Sequence, residues 1–207
     1  MITFISCYNL NMIQTMSKFN TYMAGIDADF YIDLCHRKGK LRQYKKNEYI
    51  QKEGDIFPFC GLLESGIVKY TCRNVTEGKD YNIGFSFPGE FVADYPFCLY
   101  GMKAEISIQA VTDCKILFCH SDVLNHEYEN TVNGQILART TSEQLFNQIY
   151  LRYINLYRYT PEERYIQLIE RYPDVIQLIP LKEIASYLKI TPIHLSRIRR
   201  KQTLGIK

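Results

Sequence analysis

The stretch PLKEIASYLKITPIHLSRIRRK, residues 180–201, predicts two short helices joined by a sharp turn. In the first helix, residues 182–188, Ile184 and Leu188 are four positions apart and share one face. Ala185 lies beside them, and its small side chain allows a second helix to cross closely. The segment is therefore expected to fold as a compact helix pair with one buried side.

The second helix of this pair is predicted from its start signals. Thr191 can cap it, and Pro192 suits its first position. Leu195 and Ile198, three positions apart, are expected to point inward. The opposite face is basic, so one side of the helix packs while the other offers hydrogen-bond donors and positive charge.

This arrangement is typical of a helix-turn-helix, in which the second helix lies in the major groove of DNA. An arginine on such a helix can bond to guanine O6 and N7, and the free N–H groups at the helix start suit a phosphate. We expect a double-stranded DNA partner. The predicted DNA-contacting residues are Thr191, Pro192, Ile193, His194, Ser196, Arg197, Arg200 and Lys201.

The distribution of charge agrees with this prediction. The whole chain has 207 residues and a formal net charge of only +3. Residues 160–207 hold nine Lys or Arg against five Asp or Glu, whereas residues 1–159 hold sixteen against seventeen. The basic excess therefore lies at the end that carries the helix pair, where a polyanionic partner is expected.

The part of the chain from about Asn47 to His120 has the pattern of β-structure. Short segments rich in Ile, Val, Tyr and Phe alternate with turn signals such as KEGD (52–55) and FPGE (87–90). Regularly spaced short strands predict a sandwich or a barrel rather than a parallel sheet.

A long helix is predicted from about Thr131 to Tyr159. It carries two neighbouring apolar stripes, one of Leu145, Ile149 and Leu156 and one of Phe146, Tyr150, Tyr153 and Tyr157. So wide an apolar surface favours two partners, the β-domain and the same helix of a second subunit, although a helix buried within one chain is the alternative. The predicted dimer interface consists of Leu145, Ile149, Arg152 and Leu156.

A second helix restart marks a domain boundary at Tyr159–Thr160. Thr160 can cap, proline follows at the first helical position, and Glu163 completes a capping box. The predicted organisation is an N-terminal extension at 1–25, a sensor β-domain at 26–125, a dimerisation helix at 126–159 and a helix-turn-helix domain at 160–207.

The cysteines and the apolar runs restrict the class of protein. There are seven cysteines, an odd number, and no pair has C-x-x-C spacing, so a disulfide framework, a zinc site or an iron–sulfur cluster is not expected. No apolar run approaches the roughly 20 residues of a membrane span. The N-terminus lacks the basic and apolar regions of a signal peptide. We expect a cytoplasmic protein with reduced thiols and no metal or other cofactor.

Taken with the helix pair, the order of these parts resembles the cyclic-AMP receptor protein (Crp/Fnr) family of bacterial transcription regulators over nearly the whole chain. The resemblance implies an α+β fold, with an N-terminal cyclic-nucleotide-binding-like β-roll of the jelly-roll type, a long dimerisation helix and a C-terminal helix-turn-helix. It also implies a homodimer that binds a palindromic operator and works with RNA polymerase. Gly54, Gly66 and Gly89 match the turn positions of that family.

The resemblance assigns roles in the recognition helix, with departures. Arg197 falls on the family's main base-reading arginine, and Thr191 falls on a phosphate contact. Pro192 and Ile193 stand where some members read bases with Arg and Glu, so a different operator is expected. Lys189 occupies a turn position commonly held by glycine, at a backbone cost of about 1 kcal/mol.

The effector site of the family is only partly retained. Its members hold the ribose with the Glu of a Gly-Glu pair, here Gly89-Glu90, and the cyclic phosphate with an Arg-Ser or Arg-Thr pair. That pair falls on Ala104-Glu105, and Lys103 could substitute for the arginine only if the loop shifted. Because burying a phosphate beside an unpaired carboxylate is costly, cyclic AMP is not expected to bind. The candidate pocket is Gly89, Glu90, Lys103 and Ala104; Glu90 can equally be a turn residue that hydrogen-bonds locally.

Two other functions compete with a DNA-binding regulator. The first is a sensor module that regulates a partner protein without binding DNA, which the outward arginines disfavour. The second is a cupin-type enzyme, which needs a metal triad of His and carboxylate side chains. Residues 47–111 contain no histidine, so an enzyme is not expected.

Overall fold

The structure is a computed structural model that describes residues 19–204. The predicted extension at residues 1–25 therefore lies outside the described residues as far as residue 18. The helices are α1 (Ala28–Lys38), α2 (Ser121–Asn130), α3 (Val132–Arg158), α4 (Pro161–Arg171), α5 (Val175–Leu178), α6 (Leu181–Tyr187) and α7 (Pro192–Leu204), with 3-10 turns at Thr21–Ala24 and Phe97–Tyr100. The strands are β1 (Lys40–Tyr44), β2 (Tyr49–Gln51), β3 (Phe59–Ser65), β4 (Val68–Asn74), β5 (Lys79–Ser86), β6 (Phe91–Val92), β7 (Ser107–Ala110) and β8 (Cys114–His120).

The strands form two four-stranded antiparallel sheets, ordered β1-β8-β3-β6 and β2-β7-β4-β5. Alternate side chains of each sheet point into the space between them, as the period of two requires. The most deeply buried of these are Leu63, Val68, Ile108 and Ile116. The predicted β-roll is thereby confirmed, and so is the mixed α and β class of the fold.

The turn at Gly66 shows why glycine is needed there. Its φ is +93°, and an added Cβ would lie 2.3 Å from the carbonyl oxygen of Asp113. Any side chain would therefore clash with the backbone of the neighbouring turn. Gly54 and Gly89 also have positive φ, in keeping with their predicted turn positions.

The β-structure begins earlier than the pattern predicts. Strand β1, Lys40–Tyr44, precedes Asn47 and pairs with β8 from Lys40 opposite Phe118 to Tyr44 opposite Cys114. Its sequence, KLRQY, has only two apolar side chains and lies at a sheet edge, so it gives a weak strand signal. Helix α1 before it was not predicted either.

The segment predicted as one dimerisation helix, 126–159, contains a helix break. Helix α2 ends at Asn130 and α3 begins at Val132, because Thr131 is extended and its hydroxyl accepts a hydrogen bond from the N–H of Gly134 at 2.8 Å. The long helix itself, α3, agrees with the predicted run from about Thr131 to Tyr159. His120 caps α2, because its ring Nδ1 accepts a hydrogen bond from the N–H of Asp122 at 3.3 Å.

The C-terminal helices start where their signals indicate. The capping box at Thr160 is present, with Glu163 Oε2 accepting from the Thr160 N–H at 2.8 Å. Lys189, in the turn between α6 and α7, has a φ of +57°, the left-handed conformation expected for that position. The α6–α7 pair buries Ile184, Ala185 and Leu195, as the sequence predicts.

One hydrophobic core joins the C-terminal helices to the β-roll. Phe85 and Phe87 of the roll lie in the same cluster as Tyr172, and the rings of Phe87 and Tyr172 are 4.7 Å apart. Polar contacts run beside this core, since the N–H of Asn82 donates to the hydroxyl of Ser186 at 2.8 Å. The helix pair is therefore held against strand β5, with its second helix on the far side.

Candidate functional site

Helix α7 presents a basic outer face. Leu195 and Ile198 are buried at 0% and 3% exposure, whereas Ile193, Arg197 and Arg200 on the opposite side are exposed. Among the described residues, neither Arg197 nor Arg200 forms an ion pair. The structure thus leaves both guanidinium groups available to a partner outside the chain.

The start of α7 is well organised. The hydroxyl of Thr191 accepts a hydrogen bond from the N–H of His194 at 3.1 Å, which fixes the first turn of the helix. Pro192 and His194 are exposed beside it. The Ser196 hydroxyl donates to the carbonyl oxygen of Pro192 at 2.9 Å, so this side chain is folded back onto its own helix.

Lys201 differs from the other basic residues of α7. Its Nζ lies 3.8 Å from Oε2 of Glu162 on α4, and Gln202 donates to the other oxygen of that carboxylate at 3.2 Å. The lysine side chain is still 59% exposed. A phosphate would have to compete with Glu162 for this ammonium group, a competition that the sequence alone does not indicate.

A stripe of exposed apolar side chains runs along α3. We define this α3 stripe as Phe146, Ile149, Tyr150, Tyr153 and Tyr157, all between 49% and 77% exposed. Their spacings of three and four place them on one side of the helix, and the rings of Phe146 and Tyr150 stack at 5.7 Å. Of the predicted interface residues only Ile149 belongs to this stripe, while Leu145 and Leu156 are half-buried against the chain itself.

Arg152, which is predicted to lie in the dimer interface, makes contacts within the chain. Its guanidinium donates to the carbonyl oxygens of Ile83 on β5 and Tyr187 on α6, and lies 3.9 Å from the centre of the Tyr187 ring. The helical position of Arg152 points it at the junction of the roll and the C-terminal helices. Its place in a dimer interface stays a prediction.

Glu90, the acidic residue of the predicted effector pocket, is fully buried and already bound. Its Oε1 accepts from the backbone N–H of Asn20 at 2.8 Å. Its Oε2 accepts from the Asn20 side-chain amide at 2.7 Å and from the N–H of Phe87 at 3.0 Å. The contact with Phe87 is the local turn bond that the sequence allowed, and the contact with Asn20 was not predicted.

The other residues of the predicted pocket lie in two short segments of the β-roll. Lys103 is exposed, and its backbone pairs with that of Ile56 in an isolated antiparallel β-bridge. Ala104 is buried, and its N–H donates to the carbonyl oxygen of Asp55. Gly89 lies in the turn that precedes β6 and donates to the carbonyl oxygen of Leu63. Gly89 and Glu90 thus lie in the turn before β6, whereas Lys103 and Ala104 lie in the loop before β7.

A cavity of about 1100 Å³ lies between the β-roll, α3 and the C-terminal helices. Tyr31, Tyr70, Asp94 and Leu145 line it, and the four predicted pocket residues are not among the described residues that do so. Asp94 is buried; its carboxylate accepts from the N–H of Glu105 at 3.1 Å and from the Gln51 amide at 3.3 Å. Burial raises the pKa of Asp94, although these hydrogen bonds oppose the rise.

Thiols also lie near this cavity. The sulfur atoms of Cys60 and Cys98 are 3.5 Å apart, and that contact, with burial, raises the pKa of Cys60. Such protonated thiols are poor nucleophiles and metal ligands. Within residues 19–204, no group of three or more His, Cys, Asp or Glu side chains is placed to hold a metal ion.

Comparison with known proteins identifies the domain and the fold. Residues 41–131 match the cyclic nucleotide-binding domain family. Three solved structures resemble the chain. FixK2 from Bradyrhizobium japonicum has 18% identity and a TM-score of 0.66, over 81% of this chain and 86% of FixK2. A transcriptional regulator of the Crp/Fnr family from Eubacterium rectale has 15% identity and a TM-score of 0.65, over 84% and 83% of the two chains. The c-di-GMP-responsive global regulator CLP from Xanthomonas campestris has 13% identity and a TM-score of 0.63, over 86% and 93%.

Two further comparisons gave negative results. A search of curated protein sequences finds no match. In the part of the chain that the structure describes, no helix is long and apolar enough to cross a membrane.

Proposed function

We propose that the protein is a sequence-specific, DNA-binding transcription regulator, because residues 41–131 match the cyclic nucleotide-binding domain family and the chain resembles Crp/Fnr regulators in its fold. The observation that carries this proposal is the outer face of α7, where Arg197 and Arg200 are exposed opposite a buried apolar side. A helix of this kind fits the major groove, and its arginines can read guanine. The regulator would act in the cytoplasm, with RNA polymerase as a further partner.

The α3 stripe supports a homodimer. Monomeric soluble proteins seldom expose large contiguous apolar patches, and such patches mark interaction sites. A second copy of α3 is the occupant we propose, because residues repeating at three and four positions form a seam suited to an identical helix. Two copies of α7 would then be related by a two-fold axis, which makes a palindromic operator the expected DNA target.

We further infer that any effector of this regulator is not a cyclic nucleotide. A cyclic phosphate needs a cation, but Ala104 and Glu105 stand at the position expected for it, and buried Asp94 accepts from the Glu105 N–H. Glu90, which would hold the ribose, is bound by Asn20 instead. A second negative charge beside Asp94 would be strongly unfavourable. Titration calorimetry with cyclic AMP and cyclic GMP should detect no binding at millimolar ligand.

Selection of bound duplexes from a random pool tests the proposed function. We expect enrichment of a palindrome whose half-sites are one helical turn, about 34 Å, apart. Affinity for the selected duplex should fall steeply as salt is raised, because phosphate contacts release counterions. Failure to enrich any sequence, together with binding that is insensitive to salt, would favour a module that regulates a protein partner.

A further inference from the structure

Asn20 connects the β-roll to the long helix through four hydrogen bonds. Its backbone N–H and its side-chain amide donate to the two carboxylate oxygens of Glu90, at 2.8 and 2.7 Å. The same amide donates to the carbonyl oxygen of Phe85 at 2.8 Å. Its Oδ1 accepts from the Gln148 amide on α3 at 3.0 Å. Every polar group of the Asn20 side chain therefore has a partner from a different part of the fold.

Phe19, the preceding residue, connects the β-roll to the C-terminal helices. It is only 3% exposed, and its ring centre lies 5.1 Å from that of Phe87 on the roll. On the other side it lies 5.7 Å from the ring centres of both Tyr172, after α4, and Tyr187, on α6. The ring of Phe19 thus packs against both the roll and the C-terminal helices, beside the direct contact of Phe87 with Tyr172.

We propose that Phe19 and Asn20, together called the N-terminal clasp, act as an intrachain ligand of the β-roll that holds the helix-turn-helix in the orientation that binds an operator. This inference rests on the proposed function and adds its regulation. The clasp occupies the carboxylate of Glu90, so the chain itself takes the place that a diffusible effector would need. While the clasp is docked, the Arg197 face of α7 is exposed, as operator binding requires.

The chemistry of Glu90 makes clasp docking and ligand binding at this carboxylate mutually exclusive. The carboxylate is 0% exposed and accepts three N–H groups, two of them from Asn20. Charge-assisted hydrogen bonds of this kind are strong, and a buried carboxylate cannot be left without them. Any ligand that bound Glu90 would have to displace Asn20, and the adjacent Phe19 would then be withdrawn from its contacts with Tyr172 and Tyr187.

A comparison of duplexes with two half-sites and with one half-site separates the proposed role of the clasp from a role in folding. A palindrome needs both copies of α7 at a fixed spacing, whereas a duplex with one half-site needs only one copy in any orientation. Loss of the clasp should therefore weaken binding to the palindrome and leave binding to the half-site unchanged. A variant that simply unfolds would lose both.

The test uses the full chain without added ligand and two fluorescent duplexes, the selected palindrome and a single half-site. Phe19→Ala and Asn20→Ala should each lower the affinity for the palindrome about tenfold and change the half-site affinity less than about twofold. Gln148→Ala removes the hydrogen bond between α3 and Asn20 but leaves the bonds of Asn20 to Glu90 and Phe85 in place. It should lower palindrome affinity about threefold. Asn147→Ala is the control, since this exposed amide next to Gln148 on α3 makes no hydrogen bond to Asn20.

Each result decides the matter. Unchanged palindrome affinity in Phe19→Ala and Asn20→Ala, or equal losses on both duplexes in these variants and in Gln148→Ala, would overturn the inference. If the unmodified protein bound neither duplex, the proposed function itself would fail and the clasp would fail with it.

Discussion

The Nζ atom of Lys69 on β4 lies 3.0 Å from the Oε1 atom of Glu183 on α6, across the junction of the β-roll and the C-terminal helices. Both side chains are shielded, with 17% and 15% exposure. Lys69→Met would leave the Glu183 carboxylate without its cation, so we expect the free energy of unfolding to fall by about 2 kcal/mol. Urea denaturation measures this change.

The matched control for that prediction is Lys79→Met. The ammonium group of Lys79 lies 4.0 Å from Glu77 and its side chain is 73% exposed. Exposed pairs of this kind contribute little, so the control should be nearly neutral. Equal effects of the two substitutions would mean that the Lys69 pair does not hold the junction together.

Asp94 should make stability depend on pH. Burial raises its pKa in the folded protein, so the folded state holds this proton more tightly than the unfolded state does. The carboxyl group therefore favours folding below its unfolded pKa, and this contribution is lost as pH rises through the folded value. Asp94→Asn should be more stable than the unmodified protein at pH 7, and the difference should disappear near pH 4.

Asp113 provides the opposite sign as a control. Its hydrogen bond to Lys45 lowers its pKa, so its contribution is present above the unfolded pKa and is lost as pH falls. Asp113→Asn should therefore be no more stable than the unmodified protein at pH 7. Urea midpoints recorded from pH 4 to 7 compare the two variants, and parallel curves for both would contradict the assignment to Asp94.

Lys189 should be replaceable by glycine with a gain in stability. Its φ of +57° is unfavourable for a residue with a Cβ, so Lys189→Gly should raise the free energy of unfolding by about 1 kcal/mol. Lys189→Ala keeps the Cβ and should give no such gain. Thermal unfolding of the two variants separates relief of backbone strain from loss of the lysine charge.

The α3 stripe should mediate self-association. Phe146→Asp places a charge in the stripe, next to Tyr150, and should convert the dimer to a monomer in sedimentation equilibrium. Asn147→Asp introduces the same charge at the next exposed position, which lies off the stripe, and should leave the dimer intact. A monomeric unmodified protein, or dimers that persist in Phe146→Asp, would rule out this interface.

Arg197 and Lys201 should differ in what they contribute to DNA binding. Arg197→Ala should lower operator affinity by about 1–3 kcal/mol and lower affinity for random DNA much less, because a base contact is lost. Lys201→Ala should weaken both by a similar and smaller amount, since Lys201 already lies near Glu162. Fluorescence anisotropy with the two duplexes measures the difference, and equal losses for Arg197→Ala would remove its base-reading role.

The elements predicted from the sequence are those specified by nearby residues. Thr160 and Thr191 cap the helices that follow them, and Leu195 and Ile198 follow a helical repeat, so each is readable within one or two turns. The bond between Asn20 and Glu90 joins residues seventy positions apart and has no such local signal.

Two groups of contacts, those of Asp94 and those of Arg152, were not predicted for the same reason. The carboxylate of Asp94 lines the cavity and accepts a hydrogen bond from the N–H of Glu105. No local sequence pattern specifies this contact. Arg152 lies in an apolar helix pattern, but its partners are carbonyl oxygens of Ile83 and Tyr187, and a backbone acceptor leaves no trace in a side-chain pattern.

The aromatic cluster shared by Phe85, Phe87 and Tyr172 has a consequence for the modularity of the chain. If the C-terminal helices were excised, Tyr172 and its neighbours would lose the apolar surface that covers them, and the roll would be left with an uncovered aromatic face. Neither half is expected to be a freely transplantable unit. Grafting these helices onto another sensor would require the cluster to be transferred with them, and calorimetry of the intact chain should record a single cooperative transition.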